Sequence, residues 1–417
     1  MKLEVGVLRA EYKWNCVGKL SYDRQTHFVH VTAIIDLLTR GIPLKDDQYL
    51  KMSLARVNFD PRYRAPGEGI SVKIHRREAL IRMGVTTLVP GMLGAEGLEA
   101  AQEPRGRRPR MPAIDRPILF NTPEADRILE DLQVFPPDNP WNEDVSRWPL
   151  HPNSRRIIAS IGADKPFRYN PDMGFILVPP DQKRVPVRLI GYNDESDKGP
   201  YPVPDGMPIE GWPGWYKGDP KLRGLSLDDV QRDRMGQDGD RHAIVVDPVK
   251  RMLYEFYNAR KTDAGWEARQ ASIFDLKSNK LRPEGWTSTD AAGLPLFPSV
   301  VRYNELRRGS ITHALRVTVT RSRRAYVHPA THYASQSNDP NLPRMGERIR
   351  LHRDFEIKGF TPEVKTILVA LKRHGMLVAD NGIDWAVSVA PDERISDLHE
   401  DLRRVKGSDF EVVQRPR

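Results

Sequence analysis

The sequence predicts a mainly β body with added helices, of the β-sandwich or jelly-roll kind. Thirty-five prolines and thirty glycines are spread through 417 residues, so turns recur at short intervals. The apolar runs between them are short. The clearest, residues 311–320, alternates Ile311, His313, Leu315, Val317 and Val319 with Thr312, Ala314, Arg316, Thr318 and Thr320. That is the period of a strand with one apolar and one polar face. Stretches of helical period are few and do not alternate regularly with strands, which weakens a Rossmann or TIM-barrel reading.

In chain order, Thr122-Pro123-Glu124 opens a helix: Thr caps it, Pro starts it and an acid occupies the first turn. Ala125, Ile128, Leu129 and Leu132 fall on its one apolar face. Residues 135–152, rich in Pro, Trp, Asn and Asp, read as a long ordered loop. Strands are predicted at 156–161, 174–178 and 185–192, then a long Gly/Pro/Asp/Trp loop at 193–237. Further strands follow at 242–247, 252–257, 267–274, 299–303, 311–320 and 348–355. A helix over 363–374 is capped by Thr361, started by Pro362 and stopped by Gly375, with Val364, Ile367, Leu368 and Leu371 as its stripe. Residues 376–379 and 385–389 read as two strands around an Asp380-Asn381-Gly382 turn. A helix at 393–405 and a strand at 410–413 close the chain, and no internal repeat is evident.

Upstream of this body, His75-Arg76-Arg77-Glu78-Ala79-Leu80-Ile81-Arg82 precedes a mild apolar run from Met83 to Ala95. Charge, apolar run and small residues follow in the order of a bacterial twin-arginine export signal. The expected division is a 1–71 extension ahead of an alternative start at Val72, a 72–101 export signal, a 102–116 basic Pro-rich linker and a 117–417 body. The protein is accordingly expected in the periplasm or outside the cell. No apolar run is long enough for a membrane span. The net charge of +9 is concentrated in residues 1–116, with 20 Lys/Arg against 13 Asp/Glu; the rest carries 45 against 43. A nearly neutral body lacks the field for nucleic-acid binding. The single cysteine, Cys16, lies outside the body, so no disulfide or zinc–thiolate framework is available there.

No phosphate loop, dinucleotide fingerprint, His-Glu-x-x-His or Gly-x-Ser-x-Gly string is present, and nothing names a cofactor. Polar residues in special contexts concentrate between 240 and 382. Asp290, in a loop of small residues, becomes an acid/base candidate if it meets Glu305 or Asp240. Alone it would shape its own turn. His313 sits on an apolar strand face, where a core histidine is the plain reading and a catalytic one the sharper. Trp286 and Trp385 offer flat faces for sugar stacking. Arg302, Tyr303, His242, His332, Asp380 and Asn381 offer polar groups for hydroxyls. A looser alternative is a metal site of His242, His328 and His332. Asp194-Glu195-Ser196-Asp197 reads as an acidic turn rather than a calcium loop.

Three strings carry a resemblance: residues Trp286 to Pro295, Pro329-Ala330-Thr331-His332, and Ala379-Asp380-Asn381-Gly382. Through them the stretch from about Phe120 to Val413 resembles a family of exported bacterial proteins of unassigned activity. The resemblance implies one continuous body and export, and no mechanism. The functional expectation is an exported protein that binds, and cleaves by carboxylate acid/base chemistry, a polysaccharide or surface glycan. The alternatives are a non-catalytic glycan- or surface-binding protein and a histidine-site metal hydrolase.

Overall fold

The computed structural model describes residues 111–416, apart from Met235, Gln237 and Asp238, together with three strands nearer the N-terminus. The chain divides into two units, Met1–Ala100 and Ala101–Arg417. In the first, β1 (Lys2–Glu4), β2 (Asn15–Asp23) and β3 (Phe28–Asp36) form an antiparallel sheet in that order. The expected export signal at 72–101 and most of the basic linker lie outside the described residues.

The second unit holds fourteen strands in three mixed sheets, with short helices between them. Its first elements are β4 (Ile118–Leu119), α1 (Pro123–Asp131), α2 (Ser154–Ile161), β5 (Arg168–Pro171), β6 (Ile176–Leu177) and β7 (Val187–Leu189). After α3 (Gly214–Gly218) and α4 (Leu227–Gln231) come β8 (Ala243–Asp247), β9 (Met252–Tyr257), β10 (Arg260–Thr262), β11 (Gly265–Ala268) and β12 (Gln270–Asp275). The chain ends with α5 (Tyr303–Arg308), β13 (Leu315–Val319), β14 (Arg348–Leu351), α6 (Pro362–Arg373), β15 (Met376–Asn381), β16 (Ala386–Val389), α7 (His399–Leu402) and β17 (Phe410–Val413).

The larger sheets run β17-β14-β15-β13-β16-β5 and β12-β9-β8-β6-β4; the small one runs β10-β11-β7. The five-stranded sheet is buried on both faces. Ile244, Val246 and Leu253 join the main core with the six-stranded sheet and α6. Ala243, Val245, Tyr254 and Phe256 point the other way, into a second core closed by Tyr201, Val203, Met207, Ile209 and Tyr216. The long 193–237 segment is thus the lid of that second core. Helix α1 begins as its sequence dictates, with Thr122 Oγ1 accepting from the Ala125 N–H at 3.2 Å.

Several local expectations are corrected. Residues 156–161 are helical, not extended: Ile157, Ile158 and Ile161 are buried at helical spacing, and Gly162 follows. The expected strand at 299–303 is a 3-10 turn, Phe297–Ser299, running into α5, with Arg302 at the helix N-cap. The strand at 267–274 is two strands, β11 and β12, and the last helix shrinks to α7. β15 and β16 do not pair across the Asp380-Asn381-Gly382 turn, because β13 lies between them, parallel to β15 and antiparallel to β16. Four parallel pairings, β13/β15, β16/β5, β6/β8 and β11/β7, depart from the antiparallel pattern of a jelly roll.

The same register sets up the site. Val317 opposes Val387, so Arg316 and Ser388 face each other across β13 and β16; Thr318 opposes Asp380 after a bulge in the β13/β15 pair. Arg316, Ser388 and Asp380 therefore share one face of the six-stranded sheet.

Candidate functional site

Arg316 is buried at the centre of that face and makes three charge-assisted hydrogen bonds. Nε and Nη2 donate to the two carboxylate oxygens of Asp290 at 3.0 and 2.7 Å, and Nη1 donates to Ser388 Oγ at 2.7 Å. Asp290 is completely buried. Its loop, 287–296, is held from every side. Arg282 Nε donates to the Thr287 carbonyl, the Thr287 N–H to Glu195, and the Ala292 N–H to the Ala379 carbonyl. Glu255, buried on β9, accepts from the Leu296 and Phe297 N–H groups and from Thr289 Oγ1. Burial pushes the Glu255 carboxyl up to about 7 in spite of these donors. Gly293, at φ +74°, passes so close to Thr331 Oγ1 and the Trp286 carbonyl that a Cβ would collide with both.

Around this pair stand three more carboxyls and two histidines. His242, just ahead of β8, is 3.0 Å from Glu210 Oε2 through Nδ1 and 2.7 Å from the Thr289 carbonyl through Nε2. Both neighbours are acceptors, so both ring nitrogens donate and the ring is an imidazolium. Burial works against that charge, but Glu210 outweighs it and raises His242 to about 10. For Glu210 the balance is reciprocal: burial raises its carboxyl, and His242 brings it below the ordinary value. Asp172, directly after β5, has no partner for its buried Oδ1. Burial, then the Glu210 charge, raise its carboxyl to about 8, with Arg316 and the Ser388 hydroxyl pulling the other way. Asp380 accepts from the Ala291 N–H at 3.2 Å and is part-exposed. Burial and the Asp290 charge raise its carboxyl to about 7. His332, also part-exposed, donates from Nδ1 to the Ala291 carbonyl at 2.8 Å, which fixes the orientation of its ring.

Of the residues singled out in the sequence, Asp290, Asp380, His242 and His332 belong to this one cluster, and half-buried Trp286 borders it through the Thr331 contact at 2.9 Å. Exposed Asn381 hydrogen-bonds the Ala334 carbonyl at 2.6 Å beside it. Asp240 is exposed on the loop before β8 and adds its charge to the field at His242.

The other candidates go elsewhere. Glu305, Arg302 and His313 form a separate buried network: Arg302 Nη2 donates to Glu305 Oε1 at 2.5 Å, and His313 Nε2 stands 3.0 Å from the same oxygen. Burial would raise Glu305, but Arg302 and His313 hold it down at about 2. It staples α5 to β13 and does not join Asp290. Tyr303 lies under the Arg394 guanidinium, 3.9 Å from its ring centroid. Trp385 is fully buried, stacked on Phe410 with Nε1 donating to the Gly162 carbonyl, so no sugar can reach it. The three-histidine metal set does not assemble: His242 uses both nitrogens internally, and His328 lies in the field of Arg415 and Glu143. Among the described residues no group of three His, Cys, Asp or Glu could hold a metal ion. The acidic turn at 194–197 is structural, with Glu195 and Asp197 bonded to the Thr287 and Ile273 N–H groups and to Arg282. A small cavity lined by Tyr169, Pro171, Val389 and Pro391 adjoins the backbone at Asp172 but receives no side chain of the cluster.

Asp172, Glu210, Arg316, Ser388 and Glu255 were not singled out from the sequence. Arg316 sits among Thr312, Ala314, Thr318 and Thr320, a series that reads as a solvated strand face. Asp172 and Glu210 stand in Pro-rich loops far apart in the chain, at Asn170-Pro171-Asp172 and Pro208-Ile209-Glu210-Gly211. An arginine inside an otherwise apolar strand was the one available signal.

No protein-family model, no curated protein and no solved structure matches this chain. Among the described residues no helix is long and apolar enough to cross a membrane.

Two outcomes follow from the cluster. Arg316→Leu leaves Asp290 buried and unpaired and lowers unfolding free energy in urea by about 3–5 kcal/mol, while Asp290→Leu/Arg316→Leu recovers part of the loss. An unchanged midpoint in the single variant would refute the pairing. Asp172 is raised from 3.8 to about 8, so its stabilising effect is full below pH 4 and is lost as pH rises toward and through 8. Asp172→Asn therefore becomes more stable relative to wild type between pH 6 and pH 9 on that scale; a constant difference across pH-dependent melts contradicts a raised Asp172.

Proposed function

We propose that the protein is an exported glycan-active protein that binds a polysaccharide and cleaves it by carboxylate acid/base chemistry at the Asp380–Asp290–Arg316 cluster. The observation that carries this reading is Asp380. It is the part-exposed member of the cluster whose carboxyl is raised to about 7, where a proton can be given or taken at neutral pH. Glu210, part-exposed and held ionised by His242, supplies a second carboxylate of opposite protonation. Two carboxyls whose environments push them apart are what a glycosidase-type acid and base require. Asp290 and Arg316 position Asp380 through charge and through the Ala291 N–H. His332 Nε2 can hydrogen-bond a substrate hydroxyl, and Trp286 can stack on a pyranose face. We read the two larger sheets as the layers of a sandwich-like body with this cluster in their seam.

The second reading, a non-catalytic glycan-binding protein, draws on the burial of Asp172 and Asp290, which no polymer can touch directly. Purified full-length protein is tested on plant, algal and bacterial polysaccharides for new reducing ends and for ultraviolet absorbance of unsaturated products. Asp380→Asn is expected to lower turnover about 10²–10⁴-fold with binding retained. Wild-type activity should fall as pH rises through 7 if Asp380 is the acid. Binding without either product signal selects the second reading.

Export rests on the Arg76-Arg77 segment and on the resemblance of the body to exported proteins. The intact mass of the native mature protein is expected to correspond to a chain beginning after residue 101; a mature chain starting at Met1 rejects the export signal.

A further inference from the structure

Beside Asp380 the surface carries a row of rings. Tyr326 and Tyr333 have centroids 6.3 Å apart with planes 18° from parallel, and His332 and Tyr333 are 5.7 Å apart at 5°. All three are half-buried, and the two tyrosines pack against the main core. The row is fixed at both ends. Tyr326 donates through its hydroxyl to Glu284 Oε2 at 2.6 Å, and its backbone is bridged to Met345. His332 is tied to the Ala291 carbonyl, whose own N–H donates to Asp380, and Asn381 donates to Ala334. His332 and Tyr326 each stack against Tyr333, and the stack is joined to the part-exposed Asp380 through the Ala291 backbone. Rings held rigid against a core suit the C–H faces of a sugar chain.

The charge beside the row is cationic. Arg321-Ser322-Arg323-Arg324 leads directly into it. The Arg324 guanidinium lies 5.8 Å from the Tyr333 centroid, with Nε 3.3 Å from its hydroxyl. Arg321 and Arg324 are exposed, and among the described residues none of the three arginines is ion-paired with a carboxylate. Other arginines of this unit, such as Arg307, Arg344, Arg350, Arg394 and Arg404, have carboxylate partners. Unpaired planar guanidinium groups next to sugar-binding faces suit carboxylates of the polymer itself. The body is nearly neutral overall, so this is a local device and not part of a field for nucleic acid.

We propose that Tyr326, Tyr333 and His332 form an extended subsite for an anionic polysaccharide, whose uronate carboxylates are read by Arg321, Arg323 and Arg324 as the chain runs toward Asp380. This deepens the glycan reading of the same site and rests on it. Binding by the full-length protein is measured by calorimetry against polygalacturonate, a neutral soluble β-glucan and a thymidine oligonucleotide. Polygalacturonate is expected to bind at least about 10-fold tighter than the neutral polymer and to weaken with salt. The surface variant Arg321→Gln/Arg323→Gln/Arg324→Gln should lose about 10-fold in affinity at unchanged Tm, and Tyr326→Ala/Tyr333→Ala, measured well below its lowered Tm, should lose about 10-fold as well. Equal affinity for the neutral polymer, tighter binding of the oligonucleotide, no binding of polygalacturonate, or an unaffected arginine variant each overturns the proposal. Asp380→Asn separates the two levels: it removes cleavage and leaves this binding intact, whereas absent turnover in the wild-type protein with retained, arginine-dependent binding rejects the acid/base reading alone.

Discussion

The ion pair of Arg316 and Asp290 is the constraint on which the site depends. Each ion loses its water on burial, at a cost of several kcal/mol per ion, and a lone contact would not recover that. Here the guanidinium satisfies both carboxylate oxygens in one plane and spends its remaining nitrogen on Ser388. The geometry is good only if β13, β16 and the 287–296 loop hold their places to within a fraction of an ångström. Arg282, Glu195 and Glu255, none of which touches Asp290, are bonded to that loop and keep it there.

The protonation pattern follows from the number of charges. The cluster has two cations, Arg316 and His242, and four carboxyls, Asp172, Asp290, Asp380 and Glu210. Each cation takes one carboxylate as a direct partner: Asp290 for Arg316 and Glu210 for His242. Asp172 and Asp380, left without a direct cation, are pushed upward by burial, to about 8 and about 7, as is Glu255 beside them, to about 7. In a medium of low dielectric a surplus carboxyl keeps its proton. The environment thus raises Asp172 and Asp380 while His242 brings Glu210 below its ordinary value, and of the raised pair only Asp380 reaches solvent.

Much of the fold was legible where a segment's signal was local. α1, α6, β9 and β17 appear where caps and periodicity placed them, because a helix cap or a period of two is decided within a few residues. The misreadings are of another kind. Residues 156–161 are short and apolar, and only their packing selects a helix. The pairing of β15 and β16 with β13, and not with each other, is a long-range choice that the Asp380-Asn381-Gly382 turn does not encode. The site was half visible for the same reason. Asp290, His242 and His332 stand in conspicuous loops and Asp380 at the end of β15, whereas Arg316 sits on a face whose threonines imitate solvent exposure. That face is polar because it meets a buried loop, not because it meets water.

The comparison between the two buried networks shows why residue type alone misled. Glu305, Arg302 and His313 are the same kinds of group as Asp290, Arg316 and His242, and they are buried as well. In the first network a single carboxylate faces two arginines and a histidine, is held at about 2, and keeps its charge at any ordinary pH. Such a group fixes structure and cannot exchange a proton near neutrality. In the second, carboxyls outnumber cations and one of the surplus groups opens to the surface. Proton transfer needs that excess and that opening together, so the Asp380 cluster can do acid/base work where the Glu305 network, equally polar and equally ordered, cannot.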